Sequence, residues 1–215
     1  MWLEVEDYRR FVISILLFYL SPTIILQQGI YQNGMKIGKW EINSKHKIIG
    51  GGNYNEKGQK FGQWIEIDEK KYWEYCQLLY FGNYQDGIKV GIWETHFCLF
   101  TNDIRTIGNG TYDENGIKVG QWTEVSETFW EKSQVIYKGQ YENGIKSGRW
   151  NEYFCENKQN QLIGGGMYDQ NGVKFGRWIE MHEYFSSQLQ IIYVGTYSNG
   201  IKDQEFKQKK LQNFR

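Results

Sequence analysis

Proline is almost missing from these 215 residues, and the single one, Pro22, stands near the amino end. Nothing beyond it blocks a ladder of backbone hydrogen bonds, so an uninterrupted sheet is permitted over the rest of the chain. No Pro- or Ser-rich linker divides it. Net charge is also lacking: 25 Lys and Arg balance 25 Asp and Glu. That removes any global pull towards nucleic acid or a membrane surface. The three cysteines are an odd number and make no disulfide framework. The three histidines, His46, His96 and His182, stand isolated, without metal-ligand spacing to cysteine or to one another. A Ser-His-Asp set could only be assembled by choice, not from a motif. Long apolar runs are lacking as well. The stretch 11–26 has 16 residues, including two serines, a threonine and the proline, where a membrane-spanning helix needs about 20 apolar ones.

What is present is aromatic and repetitive. Phe, Trp and Tyr make up 17% of the chain, too many for a disordered segment and suited to a thin sheet that gains burial from flat rings. One sentence is written seven times, as in Gly139-Gln140-Tyr141-Glu142-Asn143-Gly144-Ile145-Lys146-Ser147-Gly148-Arg149-Trp150. Its tyrosines are Tyr31, Tyr54, Tyr84, Tyr112, Tyr141, Tyr168 and Tyr197. The closing ring is Trp40, Trp64, Trp93, Trp122, Trp150, Trp178 and finally Phe206. Self-similarity at a period of roughly 28 residues marks a repeat architecture.

Each copy predicts a β-hairpin. Its centre is Asn-Gly at positions 33, 115, 143, 171 and 199, Asp86-Gly87 or Lys57-Gly58, and such pairs supply the left-handed backbone that a tight hairpin needs. A second glycine, such as Gly148, predicts a bulge where the return strand begins. The flanks alternate: Val135, Tyr137, Gly139 and Tyr141 share one face, and Ile136, Lys138 and Gln140 the other.

Two kinds of copy take turns, so the unit is a hairpin pair of about 56 residues. Those at Tyr54, Tyr112 and Tyr168 have one more turn residue and follow a glycine cluster, such as Gly164-Gly165-Gly166. Four residues before its tyrosine the first kind carries Tyr80, Tyr137 or Tyr193, and the second Gly50, Gly108 or Gly164. Large beside small predicts interlocking rings across strands. The glycine clusters run into another strand and not a helix N-terminus, so the geometry of a phosphate loop is missing. Cys98 and Cys155 occupy equivalent places in successive pairs, roughly 19 Å apart at ~4.8 Å per strand. That distance is beyond disulfide reach, and a reducing compartment is the expectation.

The ends differ from the middle. Trp2-Leu3-Glu4-Val5 matches Trp64-Ile65-Glu66-Ile67 and predicts that the chain begins on a return strand. From Trp2 to Tyr31 there are 29 residues, against 19 from Trp178 to Tyr197, and the surplus lies in the apolar run 11–26. Three readings stand for that run: an insertion within a repeat, a membrane-associating segment, or a signal peptide. The repeat phase favours the first. The last copy has lost its second glycine and its tryptophan, as a terminal cap does. Connections after the second kind of copy hold Trp73, Trp130 and Phe185, rings expected to fold back over the sheet.

Two columns of charge repeat. Lysine follows the turn in all seven copies: Lys36, Lys60, Lys89, Lys118, Lys146, Lys174 and Lys202. They predict one lysine margin, either a solvated edge paired with acidic turn residues such as Glu56, Asp113, Glu142 and Asp169, or a basic strip for anionic headgroups or an acidic partner. Lys89, Lys118, Lys146 and Lys174 form the central candidate set. Glutamate stands two after tryptophan at Glu4, Glu66, Glu124, Glu152 and Glu180, where the simplest role is a cross-strand hydrogen-bond acceptor. Trp122→Ala is expected to cost ~3 kcal/mol or more, and Lys118→Ala ~0.5 or less.

The run Y-x-G-x-Y-x-N-G-x-K-x-G-x-W from Tyr137 to Trp150 resembles the MORN repeat, above all its variant with two alternating copies. The resemblance covers 29–202, with a partial copy at 2–5. Copies of 24 to 29 residues between tryptophans exceed the ordinary MORN length. It implies an all-β fold, an elongated single-layer antiparallel β-meander of stacked MORN-type hairpins with about fourteen strands, near 65 Å long at ~4.8 Å per strand. Residues 1–28 then form a partial repeat with a hydrophobic insertion, 29–206 the seven-copy array and 207–215 a basic tail. The family implies a non-catalytic scaffold or adaptor for protein–protein interaction inside the cell. The alternative is a peripheral adaptor between an anionic phospholipid membrane and the cytoskeleton. No cofactor, metal, nucleic acid or small-molecule substrate is implied.

Overall fold

In a computed structural model of the protein, residues 10–16, 25–44, 47–68, 77–98, 104–156 and 159–211 are described. All seven hairpins form. They are β2 (Ile25–Gln32) with β3 (Met35–Ser44), β4 (Lys47–Tyr54) with β5 (Lys60–Ile67), and β6 (Gln77–Gln85) with β7 (Ile88–Cys98). Next come β8 (Ile104–Tyr112) with β9 (Lys118–Val125), β10 (Val135–Glu142) with β11 (Ile145–Glu156), and β12 (Gln159–Tyr168) with β13 (Lys174–Met181). The last is β14 (Ile191–Ser198) with a return strand broken into β15 (Ile201–Lys202) and β16 (Lys207–Lys210). With β1 (Arg10–Leu16) ahead of them, the strands follow one another as an open antiparallel meander, and no helix occurs among the described residues. The chain divides into two compact units, residues 1–106 with 112–116 and residues 107–111 with 117–215.

The turns separate the two kinds of copy. In the shorter kind both central residues are left-handed, as at Asn143 (φ 49°) and Gly144 (φ 80°). In the longer kind only the glycine is, and the residue after the tyrosine holds the extra length. Asp169 Oδ1 accepts from the Asn171 and Val173 amides at 2.9 and 2.8 Å, and Asn55 does the same for Lys57 and Gln59. The bulge forms as expected: beside Gly148 (φ 65°) the β10–β11 ladder shifts register between Lys138 and Gln140.

The rings make a continuous edge-to-face ladder within each unit. Tyr31, Trp40, Tyr54, Trp64, Tyr84, Trp93 and Tyr112 run through the first, with successive centroids 5.0 to 6.3 Å apart. Trp122, Tyr141, Trp150, Tyr168, Trp178, Tyr197 and Phe206 run through the second at 5.0 to 6.4 Å. Each such pair contributes about 0.5–1.5 kcal/mol beyond its area.

Each of the six repeat indoles, Trp40 to Trp178, lies over the glycine two residues before a repeat tyrosine. A Cβ added at Gly139 would stand 2.2 Å from Cδ2 of Trp150, and Gly166 and Trp178 give 2.1 Å. Phe206 uses Gly195 in the same way at 2.2 Å, so the decayed copy still completes the ladder. The glycines expected to lie beside large rings have another reason to be small. A Cβ at Gly50 or Gly164 would meet the carbonyl oxygen of Ile65 or Ile179 at 2.6 Å, where the ladder shifts register.

At the amino end β1 pairs fully with β2, and Val12 lies opposite Gly29, the register place that Trp178 takes opposite Gly195. Part of the apolar run thus supplies the return strand assigned from sequence to Trp2–Val5; those residues, with 17–24, lie outside the described ones. At the other end the boundary drawn at 206 cuts the return strand, because Lys207–Lys210 pair with β14 in the register of an intact hairpin. Connections cover hydrophobic side chains. Phe185 joins Val135, Phe154, Ile163 and Ile192 in a buried cluster. After β9 the ring that goes under is Phe129, 3% exposed, and not Trp130. Trp73 lies outside the described residues.

Candidate functional site

The lysine column and the glutamate column, read separately in the sequence, meet in the structure. Each return strand of the second kind places its lysine and glutamate six residues apart on the tryptophan face, and the next hairpin adds a tyrosine and a second lysine. Glu66 accepts from Lys60, from Lys89 at 2.8 Å and from the Tyr84 hydroxyl at 2.7 Å. Glu124 accepts from Lys118, from Lys146 at 3.1 Å and from Tyr141 at 3.0 Å. Glu180 accepts from Lys174 at 2.6 Å, Lys202 at 3.1 Å and Tyr197 at 2.8 Å.

Each ammonium also sits on a ring. Lys89 Nζ lies 3.9 Å from the Trp93 centroid, Lys118 4.4 Å from Trp122, Lys146 3.9 Å from Trp150 and Lys174 4.3 Å from Trp178. The four side chains are only 29–31% exposed. The central candidate set is therefore half-buried and ion-paired to the glutamate column, and not to the acidic turn residues expected from sequence. Lys36 donates to the Gln27 amide oxygen at 3.1 Å.

Burial opposes the charge on Glu66, Glu124 and Glu180. The lysine hydrogen bonds outweigh it, with tyrosine bonds helping Glu66 and Glu180, and hold all three below the ordinary carboxylate value. The same carboxylates push the tyrosines the other way. Burial first, then the hydrogen bond to Glu66 or Glu180, raises Tyr84 and Tyr197.

Glu152 departs from its column. It is 9% exposed, no described lysine forms an ion pair with it, and its Oε2 has no hydrogen-bond partner. Glu4 lies outside the described residues. The sequence carried one signal of the difference: Glu152 falls in a first-kind copy, where Ile42 and Thr95 stand at the equivalent place. Among the described residues no group of three His, Cys, Asp or Glu could hold a metal ion, and Cys98 is a free thiol. No described helix is long and apolar enough to cross a membrane. Comparison with protein-family models and with curated proteins finds no match.

Proposed function

We propose that the chain is a MORN-type repeat array that works inside the cell as a non-catalytic scaffold, docking a protein partner on its repeated surface. The observation that carries this is where the repeated chemistry goes. Around Glu66, Glu124 and Glu180 the repeated Lys, Tyr and Glu side chains satisfy one another, and each of the six lysines also lies over an aromatic ring. What five of the seven copies leave outside is an exposed aliphatic side chain after the turn glycine. Ile117, Ile145 and Ile201 in the second unit are 39%, 42% and 72% exposed, and Met35 and Ile88 do the same in the first. Exposed aliphatic groups at a fixed spacing suit a protein surface better than a headgroup layer.

The membrane reading has less support than a free basic strip would give it. Lys89, Lys118, Lys146 and Lys174 would have to leave both a carboxylate and an aromatic ring to meet a phospholipid. Part of the apolar run, Phe11 to Leu16, is also hydrogen-bonded into the sheet in β1. The test is affinity capture from the native cell with wild type and with Ile117, Ile145 and Ile201 all changed to Glu. The scaffold reading expects a partner that the triple variant loses while keeping its thermal stability. An unchanged set of captured proteins, or none with either chain while acidic liposomes sediment the protein, would count against it.

A further inference from the structure

The place two after the tryptophan faces an equivalent cleft in each unit, with different chemistry. In the first unit Ile42 lies there with Trp40, Tyr54, Lys60 and Trp64. In the second, Glu152 shares a cleft of about 170 Å³ with Tyr137, Lys146, Trp150, Tyr168, Lys174 and Trp178. Glu152 stands opposite Gly164 and lies over it; a Cβ there would meet Oε2 at 2.8 Å. The backbone amide of Met181 on β13 favours its charged form, while Oε2 is unpartnered. A buried carboxylate in that condition costs far more than a neutral carboxylic acid.

Two ammonium groups line the same cleft, and both are engaged elsewhere, Lys146 with Glu124 and Lys174 with Glu180. Each also covers a tryptophan face, so an outside cation finds no indole free. Glu180 has a second cation, Lys202 at 3.1 Å, and the Tyr197 hydroxyl. It can therefore give up Lys174 and remain satisfied.

We propose that Glu152 is a proton-operated latch in the second unit: neutral, it rests over Gly164, and on losing its proton it draws the Lys174 ammonium off Glu180 and off the Trp178 ring. The surrounding charges act in both directions. Burial raises the Glu152 carboxyl to about 7; Lys174 opposes this, Glu180 adds to it, and the Met181 amide and Lys146 oppose it again. Tyr137 and Tyr168, themselves pushed up to about 12 chiefly by burial, stay neutral throughout. Because the folded value lies above the ordinary 4.5, the folded chain holds a proton that the unfolded chain releases. Stability from this group is complete below about 4.5 and is lost as pH rises through about 7.

The experiment follows thermal midpoint and tryptophan emission of the full chain from pH 5 to 8.5. Wild type is expected to lose about 5 °C or more across that window, with emission changing around the same midpoint. Glu152→Gln and Glu152→Ile should both remove that component. Lys174→Met should move the midpoint upwards, because the cation that stabilises the ionised form is gone. Parallel pH curves for wild type and Glu152→Gln would overturn the latch, and a midpoint indifferent to Lys174→Met would overturn the part given to Lys174. The carboxyl carbon resonances of glutamate-labelled wild type read the titration without any variant. One glutamate titrating near 7 is expected, and all of them titrating below about 5.5 would overturn the proposal.

Discussion

Replacing Gly139 by alanine adds a single methyl group at a place where the backbone would accept any residue. The energy must therefore come from what the methyl meets. It would lie 2.2 to 2.5 Å from three ring carbons of Trp150, where carbon atoms rest at about 3.5–4.0 Å. The ring has to move by more than an ångström, and little lets it. Trp150 is 3% exposed, donates its Nε1 hydrogen to the Gln140 carbonyl at 3.2 Å, and is flanked by Tyr141 and Tyr168 with Lys146 over its face. Overpacking alone costs about 1–3 kcal/mol, and full loss of a buried tryptophan about 3–5, so a cost near 3 kcal/mol is expected. The assay is denaturant unfolding of wild type, Gly139→Ala, Trp150→Ala and the double variant. With the indole gone the methyl has room, so the second substitution should add almost nothing to the first, a coupling of about 2 kcal/mol or more. Additive costs, or a Gly139→Ala cost below about 1 kcal/mol, would refute the ring-over-glycine account. Gly148→Ala is the control: its added Cβ meets nothing within 4 Å, and only the strain of φ 65° remains, of order 1 kcal/mol.

Lys118→Ala should cost ~1–2 kcal/mol, above the figure suited to a bare surface lysine, because a carboxylate hydrogen bond and a ring contact go with it; Trp122→Ala should still cost more in the same titration. Acid should weaken the fold through the paired glutamates. Glu66, Glu124 and Glu180 are held below 4.5, so their contribution is complete above that value and lost as pH falls through the folded values. Glu124→Gln should flatten part of that acid limb in thermal scans between pH 5 and 3. Liposomes rich in anionic lipid should sediment little wild-type protein even at low salt, and changing Lys89, Lys118, Lys146 and Lys174 to Gln should lower the thermal midpoint instead of releasing bound protein. Salt-sensitive sedimentation abolished by those four changes would restore the membrane reading.

The hairpins were legible because their signals are local. Asn143-Gly144 needs no distant partner to form a turn, and period-two alternation around Tyr141 fixes the face. The copy length separated the two turn types, although not the reason, which is the Asp169 side chain taking amide hydrogens inside its own turn. The ring-over-glycine pairs were written in the text as the invariant G-x-Y, yet which glycine meets which ring depends on register across two strands. That is why Gly164 was read beside a ring when a neighbouring carbonyl is what it accommodates. The lysines were misread for a similar cause. Lys118 and Glu124 are six apart in an extended strand, which spacing alone leaves out of reach, but between them Gly120 is left-handed (φ 71°) and the Lys118 stem lies over the Trp122 face. Lys146 joins the same carboxylate only because the next hairpin folds beside it. At Glu152 the column continued in sequence while its partners did not, and only burial exposes the difference.

The central claim is that the repeated lysines belong to the interior of the repeat and not to a free basic surface. Residue-resolved amine labelling of the native protein, with rates read by mass spectrometry, tests it most directly. Lys60, Lys89, Lys118, Lys146 and Lys174, with side chains 29–31% exposed, should react slowly beside Lys39 at 73%. Glu124→Gln should quicken Lys118 and Lys146 and leave Lys89 and Lys174 as they were. Equal rates at all these lysines, unchanged by Glu124→Gln, would contradict the account.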